Sequence, residues 1–161
     1  MRSIPYNDRT DLQKIQSQWN KIGGFLSRED WSAAIVRCAT AAEIAANLVI
    51  RKEFADKSTF ASSFVDNVLV WANGIDGKFR RLLVPMAKAR DKKAGKAMEK
   101  LGKLAKKINE ERNAIVHSGA FSNEQEAREI VEVAKGLIEA LVTPYEAGFK
   151  LIDGTARTKA A

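Results

Sequence analysis

Apolar residues recur at intervals of three and four along most of the chain, and apolar and polar positions show no sustained alternation. This spacing puts apolar side chains on one face of a helix, whereas a half-buried strand requires alternation. The pattern predicts an all-α fold, an up-and-down helical bundle of about five to six helices over residues 8–152. Residues 153–161 have nothing to bury and are expected to form a disordered tail.

The first part of the chain predicts two helices separated by a glycine pair. Gly23-Gly24 should end the first helix, because two flexible residues in a row stop a helix at little cost. A second helix is expected to begin near residue 28 behind a Ser27 N-cap and to run to about Phe54. Its apolar residues lie nearly all round the helix, which predicts a place in the middle of the bundle.

The middle of the chain predicts shorter elements. Ser58 is a candidate N-cap for a third helix, which Asn73-Gly74 should end. After Gly77 we expect one or two turns of irregular helix, interrupted at Pro85 because proline has no backbone N–H.

Two longer helices are predicted in the last third. A lysine-rich helix should run from about residue 92 to just before Ser118-Gly119. Ser122 and Gln125 form a candidate capping box for the final helix. The apolar pattern continues to Phe149, so this last helix is expected to be long and to bend at Pro144.

The positive charge of the chain is concentrated before the only histidine. Residues 78–107 hold twelve basic and two acidic side chains, although the whole chain has 27 against 20. Lysines in such a segment release counterions when they bind phosphates, which predicts RNA binding. A solvated helix face that keeps the protein soluble is the alternative. The candidate RNA-binding residues are Lys92, Lys93, Lys96, Lys100, Lys103, Lys106 and Lys107.

Scarce residues exclude several kinds of site. One Cys38 excludes an internal disulfide, and one cysteine with one histidine excludes zinc sites built from these ligands, so no metal or cofactor is expected. Cys38 lies on an apolar helical face, which makes a cysteine hydrolase a poor reading. No apolar run resembles a signal peptide or a membrane span, which predicts a cytoplasmic protein without a membrane partner.

The segment Arg112-Asn113-x3-His117 follows the basic stretch directly. Arg112 falls on or beside the apolar stripe, where a guanidinium needs a partner or a cleft. Glu43, the only charge between Cys38 and Ile50, is one possible partner. Asn113 precedes His117 by one turn and could orient its ring.

In an ideal helix, Arg112 and His117 lie about 140° apart around the axis. Either the length of the arginine bridges this gap, or the helix ends near Val116 and Gly119 lets the chain turn. A reaction that needs proton transfer at two atoms would favour a symmetric dimer, because the chain has one histidine.

This arrangement resembles the R-x4-6-H motif of HEPN domains, and the resemblance covers residues 8–152. It implies a metal-independent endoribonuclease of toxin or defence type that cleaves RNA by 2′-hydroxyl attack. Arg112, Asn113 and His117 would be catalytic, in a composite site where two motifs meet in a homodimer. Glu43, Asn47 and Ser118 would support them, although many family members have Lys or Arg at the position of Asn47.

The resemblance also implies possible protein partners, either an antitoxin or a nucleotidyltransferase. Some HEPN proteins are catalytically silent, so a module that binds nucleic acid, a nucleotide or a protein without turnover is the main alternative. A DNA-binding or purely structural bundle would explain the lysines but would leave the spacing of the motif accidental.

Overall fold

The computed structural model describes residues 4–154, and no strand occurs within them, so the all-α prediction is confirmed. A 3-10 turn at Tyr6–Asp8 precedes the helices, and a π-helical segment, Phe79–Leu83, joins two of them. The helices are α1 (Asp11–Ser27), α2 (Trp31–Lys57), α3 (Ser62–Ala72), α4 (Gly74–Lys78), α5 (Val84–Arg90), α6 (Lys92–Ser118) and α7 (Glu124–Val142).

Helix α2 lies at the centre of the bundle, as its apolar surface predicts, and α1, α6 and α7 pack along it. Asp11 at the start of α1 pairs with Arg51 near the end of α2, at 3.3 Å, so α1 is antiparallel to α2. After α6, the backbone N–H of Ser122 donates to Ser32 Oγ near the start of α2, at 3.1 Å, so α6 is antiparallel too. A short turn then reverses the chain into α7.

The interior of α2 is built largely from small side chains, which allow its neighbours to approach closely. Ala41, Ala42, Ala45 and Ala46 are all fully buried. By length and composition α2 could cross a membrane, but 61% of its apolar 18-residue window is buried inside the bundle. Packing against three helices therefore accounts for the apolar character of α2.

The predicted stop at Gly23-Gly24 is wrong, because α1 continues through both glycines to Ser27. Phe25 and Leu26 beyond them pack against the core, and this burial outweighs the roughly 1 kcal/mol that each helical glycine costs. The missing side chain of Gly23 also leaves room for the carbonyl of Gly154, which would lie 3.4 Å from a Cβ there.

Two predicted serine N-caps are also wrong. Asp30, not Ser27, caps α2 by accepting a hydrogen bond from the backbone N–H of Ala33. Ser58 ends α2 instead of starting α3, because its hydroxyl donates to the carbonyl of Phe54 at 2.7 Å. Serine hydroxyls both donate and accept, so the same residue suits either end of a helix.

Pro85 does not interrupt the helix as predicted. The π-helical segment lies directly before it, and the N–H of Val84 donates to the carbonyl of Phe79, five residues back. The wider turn gives the proline ring room beside the preceding turn, so α4 continues through this segment into α5.

The last helix also differs from the prediction. Asn123 caps α7 and accepts from the N–H of Glu126 at 2.9 Å, while the Ser122 hydroxyl donates to the Glu126 carboxylate. Helix α7 ends at Val142 without reaching Pro144, so the predicted long, bent helix is wrong. Of the predicted tail, residues 155–161 lie outside the described part of the chain.

Buried Glu53 joins three elements near the end of α2. Its side chain is 6% exposed, and it accepts hydrogen bonds from Lys57 and from the Tyr145 hydroxyl beyond α7. Arg90 at the end of α5 adds a contact at 3.6 Å. Burial alone would raise the pKa of Glu53, but these hydrogen bonds and positive charges lower it below its ordinary value. Burial and the bond to Glu53 raise the pKa of Tyr145 to about 12.

We expect Tyr145→Phe to lower the free energy of unfolding by about 1–2 kcal/mol at neutral pH, because it removes a donor from an ionised carboxylate. The pKa of Glu53 is lower in the folded state than in the unfolded state. Its stabilising effect is therefore present above the unfolded pKa and lost as the pH falls through the folded pKa. Urea unfolding at neutral pH and at about pH 3 measures the difference.

The matched control is Tyr6→Phe, which removes a hydroxyl whose one hydrogen bond within residues 4–154 is to the neutral amide of Gln18. It should show no such dependence on pH. An equal loss for Tyr145→Phe at both pH values would contradict an ionised Glu53 as its partner.

Gly77 lies in α4, about one turn after the chain reverses at Asn73. Asn73 has a φ of 42°, and the reversal brings the Ala72 carbonyl against Gly77. A Cβ on Gly77 would lie 1.7 Å from that backbone oxygen. We expect Gly77→Ala to lower the free energy of unfolding by at least about 2 kcal/mol, measured by urea unfolding. Gly136→Ala, in open space on α7, should instead stabilise by about 0.5–1 kcal/mol, and similar values for both would contradict the clash.

Candidate functional site

Helix α6 carries the predicted functional residues and runs without interruption from Lys92 to Ser118. Asp91 caps its start by accepting a hydrogen bond from the N–H of Ala94 at 2.7 Å. Gly119 ends it in a left-handed conformation, with a φ of 66°. Twenty-seven residues of α-helix extend about 40 Å, so α6 spans the whole length of the bundle.

The face of α6 turned away from the core carries the predicted RNA-binding lysines. We call it the lysine face, and it consists of Lys92, Lys93, Lys96, Lys100, Lys103, Lys106 and Lys107, all exposed except half-buried Lys107. Lys107 pairs with Glu129, and Lys106 approaches Glu110 at 3.7 Å. The other five lysines form no ion pair with any residue in 4–154. Most of the lysine face is therefore free to meet an anionic ligand.

The side chain of Arg112 lies half-buried on the core side of α6. It donates a hydrogen bond to Asn113 Oδ1 at 2.9 Å. It does not pair with Glu43. Since the described contacts engage the guanidinium only through a neutral amide, its charge is free to bind an anion.

His117 is exposed in the last turn of α6. Its side chain forms no hydrogen bond within residues 4–154, and Asn113 accepts from Arg112 instead. Ser118 is exposed beside it. Because α6 continues through Val116 to Ser118, the chain does not turn the imidazole towards Arg112. One protomer thus presents Arg112 and His117 on different sides of the helix.

His117 lies on the same side of α6 as the lysine face. It follows Lys106 by eleven residues and Lys92 by twenty-five, which places it about 20° from each around the helix axis. Arg112, by contrast, lies roughly 160° from the middle of the lysine face. The lysines of the lysine face and the imidazole of His117 therefore lie along the same exposed side of α6.

Glu43 and Asn47 lie in a separate cavity between α2, α3 and α4, with a volume of about 420 Å³. Glu43 accepts a hydrogen bond from Lys78 Nζ at 2.6 Å, and Lys78 is only 4% exposed. The buried Asn47 Oδ1 has no hydrogen-bond partner in the described part of the chain. Neither Arg112 nor His117 lines this cavity. The structure does not bring these supporting residues together with the motif.

Lys78 has a role that could not be predicted from the sequence. It belongs to the basic segment, but it is buried and neutralised by Glu43, so it adds no positive charge to the surface. The only signal was its position directly before the apolar residues Phe79, Leu82 and Leu83, which are buried as well.

The described residues offer little support for metal-dependent catalysis or for a cysteine nucleophile. No group of three or more His, Cys, Asp or Glu side chains in residues 4–154 is arranged to hold a metal ion. Burial raises the pKa of Cys38 to about 12, so its thiol stays protonated near neutral pH and is a poor nucleophile.

Comparisons with protein-family models, curated proteins and solved structures return no match for this chain.

Proposed function

We propose that the protein is a metal-independent endoribonuclease that binds RNA along the lysine face and cleaves it in a site shared by two copies of the chain. The observation that carries this proposal is the exposed His117 at the end of the free, basic side of α6. A group able to transfer protons thus lies at the end of a surface able to bind phosphates.

The lysine face suits a polyanion better than a small acidic ligand. Lys92 and Lys103 are separated by eleven residues, or about 16 Å along the helix, with unpaired lysines between them. A single phosphate would engage one or two of these charges, whereas a nucleic acid strand would engage the row.

A second copy of the chain supplies what one protomer lacks. Arg112 and His117 lie about 140° apart around α6, so one protomer presents them in different directions. A two-fold axis near the end of α6 would set His117 of one protomer opposite Arg112 of its partner. Val116 and Phe121 near His117 are 47% and 95% exposed, which offers apolar surface for such a contact.

The reaction would use two histidines and two arginines. One neutral imidazole removes the proton of the 2′-hydroxyl, whose oxygen forms a bond to phosphorus. The bond between phosphorus and the 5′-oxygen breaks, and the second imidazole, in its protonated form, gives a proton to that oxygen. The guanidinium of Arg112 stabilises the negative charge of the pentacoordinate phosphate. The products are a 2′,3′-cyclic phosphate and a free 5′-hydroxyl.

The resemblance of Arg112-Asn113-x3-His117 to the HEPN motif agrees with this proposal. On the basis of the resemblance we also propose that the protein is a cytoplasmic toxin or defence protein. Such a nuclease would need a regulator, either an antitoxin that covers the site or a nucleotidyltransferase that modifies the chain.

Binding without cleavage is the second candidate function. It is favoured by the separation of Arg112 and His117 around α6 within one protomer. A silent module of this kind would keep the lysine face and would bind RNA, a nucleotide or a partner protein without turnover.

We expect the protein to cleave RNA in the presence of EDTA. His117→Ala and Arg112→Ala should each lower the cleavage rate by about a hundredfold or more, because they remove a proton-transfer group and the phosphate ligand. The assay follows a labelled RNA with single-stranded and paired segments on a denaturing gel.

Gln125→Ala, an exposed change at the start of α7, is the matched control and should leave the rate unchanged. Cleavage that requires added magnesium would overturn the metal-free proposal, and RNA binding without cleavage would favour the silent module. Because the proposed site uses both histidines of the dimer, a mixed dimer of wild type and His117→Ala should be inactive, so exchange with an excess of His117→Ala should lower the cleavage rate per wild-type chain. An unchanged rate, with mixed dimers detected by native mass spectrometry, would count against the shared site.

We expect the affinity for RNA to fall steeply with salt. The triple variant Lys96→Glu, Lys100→Glu and Lys103→Glu should reduce the slope of log affinity against log salt concentration by about 2, because up to three phosphate contacts are lost. Fluorescence anisotropy of a labelled RNA across a salt series measures the slope.

The matched control reverses three charges on α1 and directly after it: Lys14→Glu, Lys21→Glu and Arg28→Glu. It changes the net charge equally and should leave the slope close to that of the wild type. Equal effects of both triple variants would show that net charge, and not the lysine face, determines RNA binding.

A further inference from the structure

An open cavity of about 500 Å³ lies between the end of α2 and α5. Its apolar wall consists of half-buried Phe54 and Met86 and of exposed Ala89. Cavities that bind ligand groups in proteins have volumes of about 300–1,000 Å³ and mostly apolar walls. The cavity can therefore accept a large apolar side chain from another molecule.

Exposed aromatic side chains continue the apolar surface from this cavity onto α3. The ring centroid of Phe60 lies 6.3 Å from that of Phe54 and 4.5 Å from that of Phe64. Trp71 follows Phe64 by seven residues, so it lies on nearly the same side of α3, about 10 Å further along the helix. Phe60, Phe64 and Trp71 are 57%, 44% and 60% exposed. Large apolar side chains grouped at the surface mark a contact with another molecule. We call these three residues and the cavity the aromatic surface.

Cations lie at both ends of the aromatic surface. Lys57 and Arg90 line the cavity, where Glu53 is the one carboxylate among the described residues. The Arg90 guanidinium lies 3.6 Å from Glu53, which is longer than an ordinary hydrogen bond, so its N–H groups can still bind another acceptor. At the other end, the guanidinium of Arg81 lies 5.0 Å from the centre of the Trp71 ring. The charges therefore favour an acidic partner.

We propose that the aromatic surface binds an acidic amphipathic helix of a partner protein. One large apolar side chain of that helix fills the cavity, and others pack on Phe60, Phe64 and Trp71. Its carboxylates pair with Lys57 and Arg90. Helices that bind in grooves use apolar side chains at spacings of three and four residues in this way. The proposal does not depend on the nuclease activity proposed above.

A protein segment suits this surface better than a membrane or an RNA strand. A membrane is flat on this scale, so it would cover the exposed rings without placing a bulky group in the cavity. An RNA strand binds best where cations follow its backbone, whereas the cations here lie at the two ends of the aromatic surface. An amphipathic helix brings both the bulky side chains and the separate charges.

The partner would bind far from His117. The cavity lies beside the end of α5, and Arg90 precedes Lys92, the first residue of α6, by two positions. His117 lies at the other end of α6, and the 25 residues between Lys92 and His117 rise by about 38 Å. A partner on the aromatic surface would therefore leave the imidazole accessible, unlike an antitoxin that covers the proposed site.

The test uses three labelled peptides of about 14 residues, or about 20 Å of helix. The first has leucine and tryptophan at spacings of three and four residues and glutamate at the other positions. The second has lysine in place of glutamate, and the third has the composition of the first in an order that gives no apolar face. We expect the wild type to bind the first at least about tenfold more tightly than either of the others in anisotropy titrations.

The double variant Phe60→Ser and Phe64→Ser should weaken binding of the acidic peptide by about tenfold or more, because it removes two exposed rings from the contact. Phe121→Ser, the same change at the other end of the bundle, should leave the affinity unchanged. Arg90→Gln should weaken binding about threefold, whereas Arg128→Gln, an exposed change on α7, should not. Circular dichroism and thermal unfolding check that each variant is folded.

Each contrary outcome has a distinct meaning. Equal binding of the three peptides by the wild type would overturn the proposal, and so would an unchanged affinity for the acidic peptide in the double phenylalanine variant. Binding of phosphatidylserine vesicles or of single-stranded RNA that is lost in the same variant would assign the surface to a membrane or to RNA instead. None of these measurements depends on cleavage, which the His117→Ala assay tests separately.

Discussion

The structure depends on the burial of α2 by three other helices. Its row of alanines lets α1, α6 and α7 approach closely, and this close approach forms the core. Most of α2 is enclosed in this way, so most of the charged surface lies on the helices around it. Of these, α6 needs only one face for the core and has its opposite face available for charge.

Because α6 is one uninterrupted helix, its geometry determines how Arg112, Asn113 and His117 lie relative to one another. Helical spacing fixes the angle between Arg112 and His117, and the helix does not end early enough to change it. The same geometry aligns His117 with the lysine face and leaves Arg112 on the core side. Within one protomer the two groups therefore face different directions.

Much of the fold could be predicted, because the spacing of apolar residues along a helix determines which of its faces is buried. The central place of α2, the start of α6 after Asp91 and the lysine face were all visible in the sequence.

Helix ends were predicted less well, because they depend on tertiary contacts. Gly23-Gly24 continues a helix whose later residues pack on the core, and Ser58 closes a helix where the sequence suggested that it opens one. The partner of Glu43 could not be predicted. Lys78 lies beside Glu43 only because the π-helical segment and α4 place it there in the folded protein. The orientation of Arg112 followed from its spacing, but its bond to Asn113 did not.

The end of the described chain returns to its first helix. Gln16 bonds both the carbonyl and the N–H of Ile152, and Trp19 donates to the Asp153 carboxylate at 3.0 Å. These contacts join residues more than 130 positions apart, so within residues 4–154 they close very long loops, at a correspondingly large entropic cost. During synthesis α1 can fold early against α2, but its outer side must wait until Ile152 and Asp153 have been made. The outer contacts of α1 therefore form only after α7 has been made.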